Sequence, residues 1–200
     1  MKITAFTVSV NYSDVLLKIL SNKISVDNWI VITHESDTKT LGVIKQNRLN
    51  YFLSNEFFKR GKPFRKGAAI DEALRNEAPD DWIMTLDSDI LLPPNFADVC
   101  VDVVTDKDTL YGADRFEESG VKINETDKLG NSVHGIFGYL QIWHSSKFRR
   151  YPRDSGTCEG DDLTHYKAFG KTALLPLCVT DVFPIHKKFW GGRDILKNRL

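Results

Sequence analysis

Apolar and polar positions along this chain switch between two periods. Ile3 to Val10 is apolar or β-branched at nearly every position, which predicts a buried strand, and Asp14 to Asn22 carries Val15, Leu16, Ile19 and Leu20 at helical spacing. Trp29 to Thr33 (WIVIT) predicts a second short buried strand, ending at the polar run His34-Glu35-Ser36-Asp37. Leu41 to Asn47 predicts a small helix, Asn50 to Leu53 a third strand, and Gly67 to Asn76 a helix with the stripe Ala68, Ile70, Ala73 and Leu74. Trp82-Ile83-Met84-Thr85-Leu86 closes the series as another buried strand. Strands alternating with helices imply β-α-β units and a mostly parallel sheet. Ligands of such open sheets gather beyond the carboxyl ends of the strands. That rule places Asn11, His34 to Asp37, and Asp87 with Asp89 along one rim.

The pattern then changes. Residues 98 to 104 predict a helix, 109 to 113 a strand, and 114 to 132 a polar loop. His134 to Trp143 (HGIFGYLQIW) is aromatic-rich with two glycines and supplies a core strand through Ile136, Phe137, Leu140 and Ile142. Thr157 to Gly170 holds an acidic cluster followed by a helix, Leu174 to Phe183 is strand-like, and the last fifteen residues are basic. Repeats, linkers and low-complexity stretches are absent, so the expectation is one compact α/β domain over residues 1–200.

Composition narrows the classes. Lys and Arg number 27, as do Asp and Glu, and this balance argues against a protein built mainly to grip nucleic acid or an anionic membrane. No apolar run approaches the ~18 residues of a membrane span. The N-terminal stretch Met1 to Val8 reads as the first strand rather than a signal peptide. Cys100, Cys158 and Cys178 are widely spaced and odd in number, which disfavours disulfides and zinc and implies buried free thiols in a reducing, cytoplasmic setting.

The candidate chemistry centres on Asp87-Ser88-Asp89. Two carboxylates one residue apart, where the chain leaves strand geometry, can converge on one hard divalent cation. An Asp-x-Asp triplet by itself is common, and a solvated turn is its ordinary explanation. Its position directly after an apolar strand is what sets this one apart.

Four places in order resemble the GT-A fold nucleotide-sugar glycosyltransferases, in particular their family 2 group. Val8-Ser9-Val10-Asn11-Tyr12 before a helix looks like the opening strand and turn. Lys66-Gly67-Ala68-Ala69-Ile70 is similar to the Lys-Gly helix that precedes the metal strand, and WIMTLDSDILLPPNF resembles that strand with its Asp-x-Asp motif. An acidic cluster ahead of an amphipathic helix, and the late His186, follow in the family's order. The resemblance covers most of the chain, least of all residues 98 to 132. It implies a Rossmann-like GT-A domain whose residues 1–97 form the nucleotide-binding half and whose residues 98–200 form the acceptor side with a basic tail.

The resemblance also implies roles. Asp87, Asp89 and His186 become the metal ligands, and the imidazole favours Mn2+ over Mg2+. Asn11, Glu35, Asp37, Arg65, Lys66, Asp87 and Ser88 become contacts for the nucleoside diphosphate sugar, with Gly135 and Gly138 in a loop beside the sugar. Lys187, Lys188 and Arg193 become a basic flap over the diphosphate, and Tyr139, Trp143 or Trp190 candidates for stacking on a sugar face. In Cys158-Glu159-Gly160-Asp161-Asp162-Leu163 the family's base position falls on Gly160, so the base of an inverting transfer shifts to Asp161 or Glu159, with Asp161 preferred. Asp162 is the third carboxylate there, with helix capping as its plain alternative. The expected activity is metal-dependent transfer of a sugar to an acceptor hydroxyl, on a carbohydrate or a modified nucleic acid. A non-catalytic nucleotide-sugar or divalent-ion binding module is the alternative. A sugar-phosphate nucleotidyltransferase is disfavoured, because Asn11-Tyr12-Ser13-Asp14 is no Gly- and Arg-rich loop.

Overall fold

The computed structural model describes residues 1–58, 64–122, 138–148, 150–153 and 158–182, with backbone alone for 158–161. The predicted alternation is present: β1 (Ile3–Val8), α1 (Ser13–Lys18), β2 (Asn28–Thr33), α2 (Thr38–Gln46), β3 (Asn50–Leu53), α3 (Lys66–Glu77) and β4 (Trp82–Leu86). The helix expected over 14–22 divides instead, α1 ending at Lys18 and a 3-10 turn running Leu20–Ile24. There follow β5 (Ile90–Leu91), α4 (Phe96–Val103), β6 (Thr109–Glu117), β7 (Leu140–His144), α5 (Cys158–Lys167) and β8 (Lys171–Asp181). The strand predicted at 109 to 113 continues to Glu117, into the expected loop. Its polar Arg115 is 5% exposed because an acid and an aromatic ring flank it, a pairing that periodicity does not register.

The eight strands form one sheet in the order β3-β2-β1-β4-β7-β6-β8-β5. Strands β3, β2, β1 and β4 run parallel, β7 is antiparallel to both β4 and β6, and β6 and β8 are parallel. Helices cover both faces of the parallel part, which is why its strands read as continuous apolar runs. One core packs Ile3, Ala5, Trp29, Val31 and Met84 with Val15, Leu16 and Ile44 from α1 and α2. The other packs Phe6, Ile30, Ile32 and Ile83 with Ala69, Ile70, Ala73 and Leu74 of α3 and with Trp143 and Tyr151.

This topology assembles the rim. Because β7 runs opposite to β4, it begins where β4 ends: Leu86 pairs with Leu140, and Asp87 N donates to Tyr139 O at 2.9 Å. Gly138 is thereby placed beside Asp87. Helices α3 and α5 border the same core, which brings the start of α3 towards the first turns of α5.

Among the thiols, Cys100 is buried, and burial pushes it up to about 12. Cys178 is exposed, contrary to expectation, because its position on β8 faces away from the core. No helix among the described residues is long and apolar enough to cross a membrane.

Candidate active site

Lys66 opens α3 and is 9% exposed. A cation at a helix N-terminus opposes the helix dipole, so burying one there requires compensation. The compensation is explicit: Lys66 Nζ lies 2.7 Å from Asp87 Oδ1 and 3.1 Å from Asp162 Oδ2, and donates to Gly138 O at 3.3 Å. Four expected site residues, from α3, the turn after β4, the start of β7 and α5, thus meet at one ammonium.

Asp162 is the more deeply buried of the two acids. It is 7% exposed, accepts from Tyr151 Oη at 2.6 Å, and has Gln141 Nε2 on its backbone carbonyl at 3.3 Å. Burial raises its pKa, and the charge of Asp87 adds to this, against the pull of Lys66 and of the Tyr151 hydroxyl. Gly138 is required here for space: a Cβ at this position would stand 1.7 Å from Asp162 Oδ2. The close approach that the sequence suggested is therefore to a side chain of the same chain.

The acidic turn is held from several sides. Asn22, 1% exposed, donates from Nδ2 to Ile90 O at 2.7 Å and accepts from Leu92 N at 2.9 Å, so its amide acts as a strand partner. On the opposite edge Ile90 pairs with Asp181, and Val182 N donates to Asp89 O at 2.9 Å. Beneath lies a buried pair, Arg115 Nη1 3.7 Å from Asp181 Oδ2, with the guanidinium 4.6 Å from the centroid of the Tyr139 ring. Asp87 and Asp89 are half-buried, and Ser88 is 9% exposed. Two hard carboxylate donors with partial access suit a cation such as Mn2+ or Mg2+. Among the described residues no group of three or more His, Cys, Asp or Glu gathers for a metal, and His186 lies outside them.

Tyr151 is positioned in turn. Its N–H donates to Asp71 Oδ1 at 3.1 Å, and Arg150 binds the same carboxylate through Nε at 2.6 Å and Nη2 at 2.9 Å. Arg153 and Arg75 approach Asp71 at 3.3 and 3.4 Å. Burial raises the Asp71 pKa, but Arg150, the Tyr151 amide and Arg153 outweigh it and hold the group below the usual carboxylate range.

The remaining expected residues are distributed as follows. Asn11 adopts φ 61°, and its N–H donates to Asp37 Oδ2 at 2.5 Å; Asp37 Oδ1 caps α2 through Thr40 N at 3.1 Å. Asp37 is thus 4% exposed with both oxygens on backbone amides, whereas Glu35 is exposed on the same rim. Arg65 is turned to Glu56. Glu159 and Asp161 lie on the first turn of α5, with side chains outside the description, and Gly135, Lys187, Lys188, Trp190 and Arg193 lie outside it altogether. Tyr139 and Trp143 are 3% and 0% exposed, so neither offers a face to a sugar; Trp143 donates from Nε1 to Phe148 O. Sequence reasoning missed Tyr151, Gln141, Asn22, Asp71, Arg115 and Asp181. The one available signal was Gln141, a lone amide inside an apolar strand.

A cavity of about 470 Å³, lined by Asn28, Leu49, Asn50, Tyr51 and Glu77, opens where β2 and β3 begin, at the opposite end of the strands from this cluster.

No protein-family model and no curated protein sequence matches the chain. Solved structures do. The mannosyl-3-phosphoglycerate synthase of Rubrobacter xylanophilus superposes with a TM-score of 0.63 at 16% identity, over 100% of this chain and 72% of that one. The fold is GT-A. The glucosyl-3-phosphoglycerate synthase of Mycobacterium tuberculosis, in complex with phosphoglyceric acid, gives 0.65 at 16% identity over 99% and 79% of the two chains. The same enzyme with Mn2+, UDP and glucosyl-3-phosphoglycerate gives 0.62. Within this GT-A frame, the Lys66 cluster stands at the carboxyl ends of the parallel strands, where open α/β sheets bind ligands.

Proposed function

We propose that this chain is a nucleotide-sugar glycosyltransferase. The observation that carries the reading is Lys66 joined to Asp87 at the carboxyl end of β4, with Asp89 two residues on. In this reading Lys66 binds the diphosphate of the donor, and Asp87 and Asp89 hold a Mn2+ or Mg2+ ion together with His186. The ion's chemistry is to offset charge on the departing nucleoside diphosphate. The solved structure with Mn2+ and UDP supports testing uridine donors and manganese first. The phosphoglycerate bound in a similar structure supports including small anionic acceptors alongside sugars.

Asp162 is closed off by Tyr151, Lys66 and Gly138 and positions Lys66 rather than reaching an acceptor. The base of an inverting transfer is then assigned to Asp161, with Glu159 as its neighbour on the same turn. Lys187, Lys188 and Arg193 complete the diphosphate site. A cytoplasmic location fits the free thiols.

The test is donor turnover with and without Mn2+, in wild type and in Asp161→Asn and Glu159→Gln variants. Loss of turnover with retained donor binding in Asp161→Asn supports the assignment. Full turnover in both variants overturns it. Donor binding without turnover in the wild type, across an acceptor panel, favours the binding-module reading.

A further inference from the structure

Three guanidinium groups meet one carboxylate beside residues 150–153. Asp71, buried in the middle of α3, takes Arg150 as a fork, with Nε at 2.6 Å from Oδ1 and Nη2 at 2.9 Å from Oδ2. Tyr151 N adds a third hydrogen bond at 3.1 Å. That set is enough to anchor the segment. Arg153 and Arg75 nevertheless crowd the same Oδ2, their Nε atoms 3.3 and 3.4 Å away. Arg153 Nε is buried and donates to nothing. Among the described residues Arg75 makes no hydrogen bond, and Arg150 spends only the two donors of its fork.

The local charges do not balance. One carboxylate stands against three cations. Arg153 also has Nη2 3.9 Å from Glu56 Oε1, but Arg65 engages that acid. Glu72, the next acid along α3, accepts from Ser54 Oγ at 2.6 Å. Among the described residues no other carboxylate stands within ion-pair distance of the three arginines. The surplus is open to solvent: the side chains of Arg75, Arg150 and Arg153 are 44%, 60% and 37% exposed around a carboxylate at 0%.

Arginine forks suit phosphoryl oxygens, because they supply charge and directed donors together. The cluster is compact, three side chains about one point, whereas a nucleic-acid footprint is a stripe or a broad basic face. The chain as a whole is balanced, with 27 acidic and 27 basic residues, so a small ligand fits better than a polyanion.

We propose that Arg75, Arg150 and Arg153 form a binding site for the phosphate group of a small ligand, with Asp71 fixing the guanidiniums from beneath. This site is separate from the Lys66 cluster: Asp71 follows Lys66 by five residues on α3, roughly 7.5 Å at the helical rise. Tyr151 lies between the two, its amide on Asp71 and its hydroxyl on Asp162.

The experiment is 1H–15N NMR of the arginine Nε–H groups in the full chain. It is titrated at neutral pH with inorganic phosphate, against sodium chloride of equal ionic strength, without nucleotide or metal. Arg75→Gln, Arg150→Gln and Arg153→Gln assign the three signals. The expected result is that the three move together on one saturable curve under phosphate and stay in place under chloride. Arg75→Gln leaves the Arg150 fork and the Tyr151 amide untouched. It should weaken phosphate binding about ten-fold, the worth of one charged hydrogen bond, and Arg75→Lys should recover part of the loss. Glycerol phosphate separates the sources: tighter binding than inorganic phosphate makes the ligand a phosphate ester, and equal binding makes it the free ion. Either result keeps the site. Signals that follow chloride as they follow phosphate, or a phosphate response unchanged in Arg75→Gln, overturn the proposal. No donor enters the measurement, so its failure leaves the glycosyltransferase reading standing, and the converse also holds.

Discussion

Lys66 Nζ stands 2.7 Å from Asp87 Oδ1, joining the first turn of α3 to the end of β4 across 21 residues of sequence. This pair fixes one positive charge at the sheet rim. A cation there stands at the unfavourable end of a helix, and its carboxylate partners offset that cost. Lys66→Met is expected to weaken nucleoside diphosphate binding by about ten- to a hundred-fold, the worth of one charged hydrogen bond. Isothermal titration with UDP and with GDP measures it. Unchanged affinity for whichever nucleotide the wild type binds would remove Lys66 from the site.

Gly138 and Asp162 share one volume. Gly138→Ala places a Cβ 1.7 Å from Asp162 Oδ2, so the carboxyl must leave its partners or the β7 entry must move. The expected loss is about 1–3 kcal/mol in urea unfolding. In an Asp162→Gly background the same alanine should cost far less, because the clash has gone. Equal costs in both backgrounds would refute the steric account.

His165 is enclosed by Trp143, Tyr151, Phe148 and Phe169, and burial lowers its pKa from 6.5 to about 3. The unfolded chain therefore binds a proton below about 6.5 that the folded chain refuses. Stability conferred by this site is present above that value and drains as pH falls, at ~1.4 kcal/mol per pH unit until about 3. Denaturant titrations of wild type and His165→Leu from pH 7 to 4 should show the wild type losing stability with the steeper slope. Parallel curves would contradict it.

Asp71 is the anchor of residues 150–153. Asp71→Ala removes the buried carboxylate that pairs with the exposed Arg150 and with Arg153 and frees the Tyr151 amide, and is expected to lower the urea-unfolding midpoint. The folded pKa of Asp71 is depressed, so its contribution is present above the unfolded value near 3.8 and is lost as pH falls. Acid unfolding of wild type against Asp71→Asn checks the sign, with the two converging at low pH.

Much of the fold was legible because strands buried on both faces advertise themselves as apolar runs with polar stops, as in WIVIT before His34 and WIMTL before Asp87. Lys66, Asp87, Gly138 and Asp162, which the structure brings together, stood out in the sequence for a different reason: the first three sit at the ends of elements, and Asp162 belongs to the acidic cluster within α5. Tyr151 did not, since its position depends on Asp71, 80 residues earlier, and on a helix packed above it. No local period encodes such a contact. Arg115 was hidden likewise, its burial made possible by Asp181 on β8. Asp37 carries the opposite lesson: an acid at a strand end, the type of residue that suits a ribose, is occupied by the amides of Asn11 and Thr40.

The most direct test is to titrate a panel of nucleoside diphosphate sugars against the wild type and Asp89→Ala, with and without Mn2+, following heat and nucleoside diphosphate release. The account predicts that one donor binds in a Mn2+-dependent way, is slowly cleaved to its nucleoside diphosphate, and loses both properties in Asp89→Ala. No binding by any donor, or binding and cleavage indifferent to Mn2+ and to Asp89, would contradict it.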